Sequence, residues 1–230
     1  MPSRLVWPTP MLYSPCTMAR APRRRLPAKA GYHHGDLRRA LVDAALSLIS
    51  DGSVADLSLR EVARRAGVTY AAPYHHFADK TALLAAVACQ GFEQLIAELE
   101  RAAFRSTTLE SELLAMAEAY VAFAVTHPAH YHVMFLPDVK QSAGVEELHA
   151  VADRSFGMLL QRVARARAGE PERAQQVLAT TVWAALHGLC LLAIDGTLQN
   201  KFPEPEKMMR GACLSIVRMV VGAWRTSSAC

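Results

Sequence analysis

The fold of this chain is decided by residues 57–80, LSLREVARRAGVTYAAPYHHFADK. Ser58 followed three residues later by Glu61 predicts a capping box, in which each side chain bonds the other residue's backbone N–H group, so a helix begins at about Leu59. Gly67 ends this helix, because glycine adopts the left-handed conformation without a Cβ penalty. Spacings of three and four residues place one apolar stripe on the helix, formed by Leu59, Val62, Ala63 and Ala66.

A second short helix is predicted over residues 69–77, with Thr69 as its cap and Pro73 one turn inside it. Its first turn is small and smooth, and consists of Tyr70, Ala71 and Ala72. Asp79 caps the next helix and Lys80 lies in its first turn, where the helix dipole does not favour a cation; this indicates an anion outside the protein. A capped helix, a glycine turn and a second helix with an exposed N-terminal end are typical of a motif that enters the DNA major groove.

Residues 36–95 resemble the DNA-binding domain of tetracycline-repressor (TetR) family transcriptional regulators, most closely in LREVARRAGV and PYHHFADKTALL. The segment YHHGDLRRAL, together with Trp183, His187 and Gly188, resembles the subgroup with a Trp-His-Gly (WHG) type C-terminal domain. The resemblance implies a homodimeric, ligand-responsive repressor on a palindromic operator, which is not an enzyme and needs no cofactor. The alternatives are a ligand-independent DNA-binding activator or architectural protein, and a helical metal-binding protein.

The resemblance also implies a role for each residue of the motif. Ser58 and Thr69 would hold phosphates from helix N-termini, and Arg60 would reach a base or a phosphate. The base edges would be met by Tyr70, Ala71 and Ala72. The DNA backbone would be clamped by Tyr74, His75 and Lys80. Alanines at 71 and 72 and proline at 73 depart from the commoner Thr-Leu before the tyrosine, so we expect sparse base readout, with thymine methyl contacts and DNA shape contributing more.

Charge is concentrated at the amino terminus. Residues 1–80 contain 12 Lys and Arg against 6 Asp and Glu, whereas residues 81–230 contain 13 against 15. Residues 1–30 show no apolar period and are expected to be a disordered basic arm, in which Arg23, Arg24 and Arg25 would follow phosphates or enter a minor groove. A solvated tail is the alternative, and Met18 is a second plausible start that would make residues 1–17 an upstream extension.

The remaining pattern predicts an all-α protein of about nine helices. A helix capped by Asp36 completes a three-helix bundle over residues 31–80, the helix-turn-helix DNA-binding domain. A long fourth helix over residues 79–104 leads into a ligand-sensing and dimerisation domain at residues 81–230. Further helices are expected over residues 109–126, 146–167, 171–194 and 205–224. Residues 137–144 and 195–205 read as linkers.

The C-terminal part is expected to bind a small, apolar or aromatic inducer and to dimerise through its last two helices. Small residues at 184, 185 and 188 and the apolar residues of the last helix would close a four-helix bundle between two chains; the latter are Ile216, Val217, Met219, Val220 and Trp224. The candidate pocket residues are aromatic or histidine side chains at helical spacing, namely Phe92, Tyr120, Phe123, Tyr131, Phe135, Phe156, Trp183 and His187. Plain core packing is the alternative for each of them.

Three further features bear on function. His127, His130 and His132 are closely spaced imidazoles that could share a metal, although the segment lacks a Cys, Asp or Glu and we expect no metal site. Five scattered cysteines without a CxxC pair indicate a reducing cytoplasm. The longest apolar run, residues 182–194, is interrupted by His187 and is too short to span a membrane, so no membrane association is expected.

Overall fold

The computed structural model describes residues 34–140 and 146–222, and these residues form ten α-helices, one 3-10 helix and no β-strand. The helices, in chain order, are α1 (His34–Asp51), α2 (Leu59–Ala66), the 3-10 helix (Ala72–His75), α3 (Lys80–Phe104), α4 (Leu109–Thr126), α5 (Pro128–Met134), α6 (Pro137–Lys140), α7 (Glu146–Ala166), α8 (Glu172–Ile194), α9 (Thr197–Lys201) and α10 (Pro205–Gly222). The all-α prediction is confirmed. The two predicted linkers each contain a short helix, α6 and α9. Each is about one turn long, which is too short to show a helical period in the sequence.

The amino-terminal head consists of α1, α2, the 3-10 helix and the first turns of α3. The predicted stripe of α1 is largely buried, with Leu41 and Ala45 fully inaccessible to solvent. Helix α1 begins at His34, so the predicted cap at Asp36 is wrong and this residue lies inside the first turn. Acidic residues are common both at the cap and in the first turn, and the sequence pattern does not separate these two registers.

Helix α2 has the predicted ends. Its N-cap is Ser58, whose Oγ accepts a hydrogen bond of 3.2 Å from the Glu61 N–H group, and its C-cap is Gly67 at φ 73°. The reciprocal half of the predicted capping box is replaced, because the Glu61 carboxylate accepts from the Arg64 guanidinium, with Nε at 2.8 Å. This ion pair holds the pKa of Glu61 below its ordinary value.

The predicted second helix is wrong in type and in length. Instead of a helix over residues 69–77, the chain forms a 3-10 helix at Ala72–His75 with no side-chain cap. Its bonds join residues three apart, as from the Ala72 N–H group to Thr69 O at 3.0 Å. Proline at 73 is the reason, because it has no N–H group for the Thr69 carbonyl, which an α-helix of that register would require. A short, tight turn therefore stands where an α-helix was expected.

Helix α3 joins the head to the rest of the molecule. Its N-cap is Asp79, as predicted, with Oδ1 accepting from the Ala82 N–H group at 2.8 Å. It packs on α1 at its beginning and on α4, α5, α6 and α7 further along, while α8 and α10 close the bundle against α4. The buried apolar residues of the described chain form one contiguous core from Leu41 to Val220. The head and the remaining helices therefore share one core along α3, and no flexible linker separates them.

Two helices, α3 and α8, are long and apolar enough to cross a membrane by length and composition alone. Core helices of soluble proteins meet the same two criteria, so the absence of membrane association stays a prediction. The run at residues 182–194 contains only nearly uninterrupted apolar residues, whereas the average over a whole helix tolerates an occasional Thr, His or Gly. Of the most apolar stretch of each helix, 56% is buried inside the fold in α3 but only 33% in α8, so the described residues leave part of the apolar surface of α8 uncovered.

The left-handed turn at Gly67 can be tested by substitution. A Cβ at this position would meet nothing within 4 Å, so Gly67→Ala should destabilise the fold through backbone strain alone, by about 1 kcal/mol. Gly157→Ala is the matched control, because Gly157 also has open space around it but lies within α7 at an ordinary φ. The control should stabilise by about 0.5 kcal/mol. Equal changes in the two urea-unfolding midpoints would contradict the conclusion that Gly67 is required for its left-handed backbone.

Candidate nucleic-acid interface and effector cavity

The segment around the 3-10 helix, residues 69–75, forms an exposed tip that we call the reading tip. Tyr70 is 53% exposed and Tyr74 is 62% exposed, whereas Pro73 and Phe77 are buried and anchor the tip to the head. Of the other predicted contact residues, Thr69, Ala71 and His75 are exposed and Ala72 is half-buried. Large exposed aromatic side chains on a rigid turn are typical of a binding surface.

Arg60 and Tyr70 form a unit on this surface. The Arg60 guanidinium carbon lies 4.7 Å from the centroid of the Tyr70 ring, in a cation–π contact between α2 and the reading tip. The sequence predicted separate contacts for the two residues, and spacing along the chain gave no signal that they stack. The stack positions the cation beside the tyrosine and leaves guanidinium N–H groups at the surface for an anionic or base-edge acceptor.

Lys80 is held in place rather than free. Its Nζ donates a hydrogen bond of 3.0 Å to the backbone carbonyl of Ala55, in the loop that leads from α1 to α2. An ammonium group has three donors, so two remain available for another acceptor. Ser58, predicted to hold a phosphate, lies exposed at the start of α2 with its Oγ engaged as the cap. The predicted contacts of Arg23, Arg24 and Arg25 lie outside the described residues.

A cavity of about 450 Å³ lies in the helical bundle between α3, α4, α7, α8 and α10. Five of the eight predicted pocket residues line it, namely Phe92, Tyr120, Phe135, Phe156 and Trp183. The rings of Phe92, Phe135, Phe156 and Trp183 contact one another in series, as in the edge-to-face pair of Phe156 and Trp183 with centroids 6.0 Å apart. The volume is typical of a site for a drug-sized molecule.

The other three predicted pocket residues, Phe123, Tyr131 and His187, do not line the cavity. Phe123 and Tyr131 are almost fully buried. The Tyr131 hydroxyl lies 3.1 Å from the Tyr120 hydroxyl and 2.6 Å from His187 Nδ1, so a chain of hydrogen bonds runs from α4 through α5 to α8. Burial raises the pKa values of both tyrosines above their ordinary range, so both hydroxyls stay neutral.

Sequence reasoning missed most of the cavity wall, because it selected aromatic residues and the wall is largely aliphatic. Leu95, Leu99 and Met116 line the cavity from α3 and α4. Their helical spacing is the same as that of any core residue, so no sequence signal marks them out. The polar residues His149 and Asp153 of α7 were also missed.

The three histidines around α5 do not converge. His127 Nε2 lies 2.9 Å from Gln94 Nε2, His130 Nε2 lies 3.3 Å from Gln90 Oε1, and His132 is exposed. Across residues 34–140 and 146–222, no group of three or more potential ligands is placed to hold a metal ion. His130 instead joins a polar link to the head, since Gln90 Nε2 donates to Asp43 Oδ1 of α1 at 3.3 Å.

Helices α8 and α10 carry a face that the described residues leave uncovered, which we call the uncovered face. On α8 it is apolar or small, with Val177 at 60%, Leu191 at 48% and Leu192 at 42% exposure, and Ala184 exposed between them. On α10 three of the predicted dimer residues, Ile216, Val217 and Val220, are instead buried within their own chain. Met219 is 49% exposed, and Trp224 lies outside the described residues. The sequence pattern did not separate the buried side of α10 from its exposed side, because both sides contain apolar residues.

Comparison with known proteins identifies both parts of the chain. Residues 41–87 match the family model for bacterial regulatory proteins of the tetR family, and residues 113–213 match the model for the tetracyclin repressor-like C-terminal domain. A curated relative, the HTH-type transcriptional regulator BetI of Cronobacter sakazakii, is 38% identical over 96 residues, which are 40% of this chain and 46% of that protein. The chain therefore matches about half the length of this relative.

Solved structures extend the likeness over most of the chain. A protein of unknown function from Rhodococcus sp. RHA1 is 34% identical, with a TM-score of 0.70, over 83% of this chain and 98% of that one. A tetR-family transcriptional regulator from Streptomyces coelicolor shares the fold, with a TM-score of 0.63 and 20% identity over 84% of this chain and 85% of that one.

The buried imidazole of His130 should make stability depend on pH. Burial, and then the neighbouring His127, lowers its pKa from 6.5 to about 4. Between these two values the unfolded chain binds a proton that the folded chain excludes, so stability should fall as pH decreases from 6.5 to 4. We expect a loss on the order of 2–3 kcal/mol from this residue. His130→Gln should flatten that part of the stability–pH curve, whereas His132→Gln, at an exposed position, should not; identical curves for the two variants would refute this reading.

Proposed function

Because the chain belongs to the tetracycline-repressor family of bacterial regulatory proteins, we propose that it is a homodimeric, DNA-binding repressor that releases its operator when a small molecule occupies the cavity. The observation that supports this most directly is that α3 begins in the head, which carries the exposed reading tip, and lines the apolar cavity further along with Phe92, Leu95 and Leu99. The proposed role is regulatory and not enzymatic, and its place is the cytoplasm, where the DNA is accessible. No metal, cofactor or membrane takes part in it.

The reading tip would enter the major groove. Tyr70, Ala71 and Ala72 would face base edges, with the stacked Arg60 reaching a base or a phosphate beside them. Tyr74, His75 and Lys80 would contact the DNA backbone, and Ser58 and Thr69 would approach phosphates. The exposure of both tyrosines and the two spare donors of Lys80 support this division.

Base readout from this tip should be limited. The part of the tip that would face the bases, Tyr70, Ala71 and Ala72, offers one aromatic ring and methyl groups, with the guanidinium of Arg60 beside them. These groups suit thymine methyl groups and DNA shape better than a dense hydrogen-bond code. The tip is one 3-10 turn, shorter than the recognition helix expected from the sequence, and this also restricts the number of base pairs it can span. A basic arm at residues 1–30 would add phosphate or minor-groove contacts.

Dimerisation would use α8 together with the exposed side of α10. Two copies of the uncovered α8 face, small at Ala184 and apolar at Val177 and Leu191, can pack closely around a two-fold axis. The resulting dimer would hold two reading tips about one helical turn of DNA apart, roughly 34 to 36 Å, as a palindromic operator requires. Residues 31–80 would then act as the DNA-binding domain, and residues 81–230 as the sensing and dimerisation domain.

Two routes connect the cavity to the head. The first is α3 itself, whose residues Phe92, Leu95 and Leu99 line the cavity while its first turns belong to the head. The second is α5, which carries Tyr131 on the side of the cavity wall and His130 on the side of Gln90 and α1. An effector that fits one arrangement of α3 and α5 better by a few kcal/mol would change the position of the heads and weaken DNA binding.

The division between backbone and base contacts predicts different behaviour for three variants. Lys80→Ala should weaken binding to every duplex and lower the slope of log affinity against log salt by about 1, because one phosphate contact is lost. Tyr74→Phe should weaken all duplexes by roughly tenfold. Tyr70→Ala should instead change the ranking of sequences. Fluorescence anisotropy on the gene's own promoter and on a random duplex, at several salt concentrations, measures all three.

Arg105→Ala is the matched control for Lys80→Ala. It removes one exposed positive charge beyond the far end of α3, away from the reading tip, and should leave the salt slope unchanged. Unfolding midpoints of each variant separate loss of contact from loss of the bond between Lys80 and Ala55. Equal losses on all duplexes from all three test variants would contradict the division.

If two chains associate through the uncovered face of α8, a charged side chain placed on that face should prevent dimerisation. Leu191→Glu places a carboxylate on the uncovered face of α8, and should convert the dimer to a monomer in sedimentation experiments and reduce operator binding by at least roughly a hundredfold. Phe104→Glu, at a position 91% exposed at the end of α3, introduces the same charge outside that face. It should leave the dimer intact. A dimer that survives Leu191→Glu, or dissociates equally in both variants, would rule out this interface.

A further inference from the structure

The wall of the cavity lacks a permanently cationic side chain to compensate a buried anion, since none of the described residues that line it is Lys or Arg. Moving a carboxylate, sulfonate or phosphate from water into such a wall costs several kcal/mol when no cation compensates it. The cavity therefore disfavours ligands whose negative charge would enter it.

The inner polar groups of the wall are already engaged. The Tyr120 hydroxyl lines the cavity but lies 3.1 Å from the Tyr131 hydroxyl, which is in turn 2.6 Å from His187 Nδ1. A polar ligand group placed against this region would have to compete with these bonds. The inner part of a ligand should accordingly be apolar.

Three other polar lining residues, His149, Asp153 and Thr180, are exposed and mark the mouth of the cavity, while Ser155 is half-buried. His149 and Asp153 are four residues apart on α7, so they share one face of that helix, and both are exposed. Thr180 of α8 is also exposed, and its Oγ1 donates 2.8 Å to the Gln176 carbonyl. Among the described lining residues, Asp153 is the one carboxylate, and it forms no hydrogen bond or ion pair with the rest of the described chain.

The aromatic rings of the wall favour the same class of ligand as the carboxylate at the mouth. Phe92, Phe135, Phe156 and Trp183 give a wall that attracts apolar and aromatic groups and also tolerates a cation above a ring. A carboxylate at the mouth and ring faces inside act in the same direction, since both stabilise positive charge and neither stabilises negative charge.

We propose that the effector of this cavity is a cationic amphiphile, with an apolar or aromatic body inside the cavity and an amine or similar cationic donor at the mouth beside Asp153. This inference rests on the proposed role of the cavity as the effector site and specifies its ligand class. Molecules of the same shape that carry a carboxylate, sulfonate or phosphate are excluded. The selection comes from one rim carboxylate together with a wall whose described residues include no Lys or Arg.

Three dansyl probes that differ in one end group test the proposal on the full-length protein. Dansylcadaverine, N-dansyl-hexylamine and N-dansyl-6-aminohexanoic acid share the fluorophore and a five-carbon spacer, and end in an ammonium, a methyl group and a carboxylate. Dansyl fluorescence rises on transfer from water to an apolar site, so titration gives a dissociation constant for each probe. We expect the ammonium probe to bind most tightly, the methyl probe next, and the carboxylate probe at least about tenfold more weakly than the ammonium probe.

Variants test whether Asp153 and the cavity cause the difference between the probes. Asp153→Asn should remove the advantage of the ammonium probe over the methyl probe, and Asp153→Lys should reverse the order of the two charged probes. Asp56→Asn makes the same change of charge at an exposed position in the head, and should leave all three constants unchanged. Ala152→Phe fills the cavity from α7 and should reduce the binding of every probe by at least about tenfold.

Four outcomes overturn the proposal: no probe binds, the carboxylate probe binds as tightly as the ammonium probe, Asp153→Asn and Asp56→Asn behave alike, or Ala152→Phe leaves binding unchanged. DNA binding is measured by anisotropy in the same preparations without probe. Failure to bind DNA, with the predicted probe order intact, would refute the regulatory function and leave the ligand class standing. DNA binding with an anionic preference would refute the ligand class alone.

Discussion

The structure depends on one unbroken helix that belongs to two parts of the molecule at once. Helix α3 runs from Lys80 to Phe104, about 37 Å at 1.5 Å per residue. Its amino-terminal turns are packed in the head, and its later turns supply Phe92, Leu95 and Leu99 to the cavity. Because a continuous hydrogen-bonded helix resists bending, the proposed mechanism has a change of packing at the cavity end displace the head end. The polar contact of Gln90 with Asp43 ties the same helix to α1 near the point where the two parts meet.

The reading tip and the cavity differ in how they present apolar groups: the tip exposes them to solvent and the cavity turns them inward. The reading tip keeps aromatic rings exposed on a turn anchored by two buried residues, Pro73 and Phe77. The cavity encloses an apolar space whose few polar groups are bonded to one another or lie at its mouth. Arg60 stacked on Tyr70 gives the tip a positive group already held in place before any partner arrives, which reduces the entropy lost on binding. Rigidity at one end and empty volume at the other suit a protein that reads a surface and senses a molecule.

Local signals in the sequence predicted the local structure well and the tertiary geometry poorly. The N-cap at Ser58, the glycine end of α2 and the cap at Asp79 follow from rules that act over three or four residues, and all were confirmed. The second helix failed because Pro73 removes a donor whose absence decides between an α-helix and a 3-10 turn. Five aromatic cavity residues could be selected by size and period, but the aliphatic wall, the rim at Asp153 and the buried face of α10 could not. Those depend on which helices pack together, and the periodicity of a single helix does not specify its neighbours.

The central claim is that occupation of the cavity moves the two heads of a dimer through α3. Double electron–electron resonance between spin labels on the two protomers tests it directly, with an unnatural amino acid at position 50, an exposed site on α1, as the carrier of the label. The distances are compared without ligand and with saturating dansylcadaverine, in the parent chain and in Ala152→Phe. The account predicts one defined separation that shifts when the cavity of the parent is occupied and does not respond in the filled variant. A monomer with no measurable separation, or a distance distribution unchanged by an occupied cavity, would contradict it.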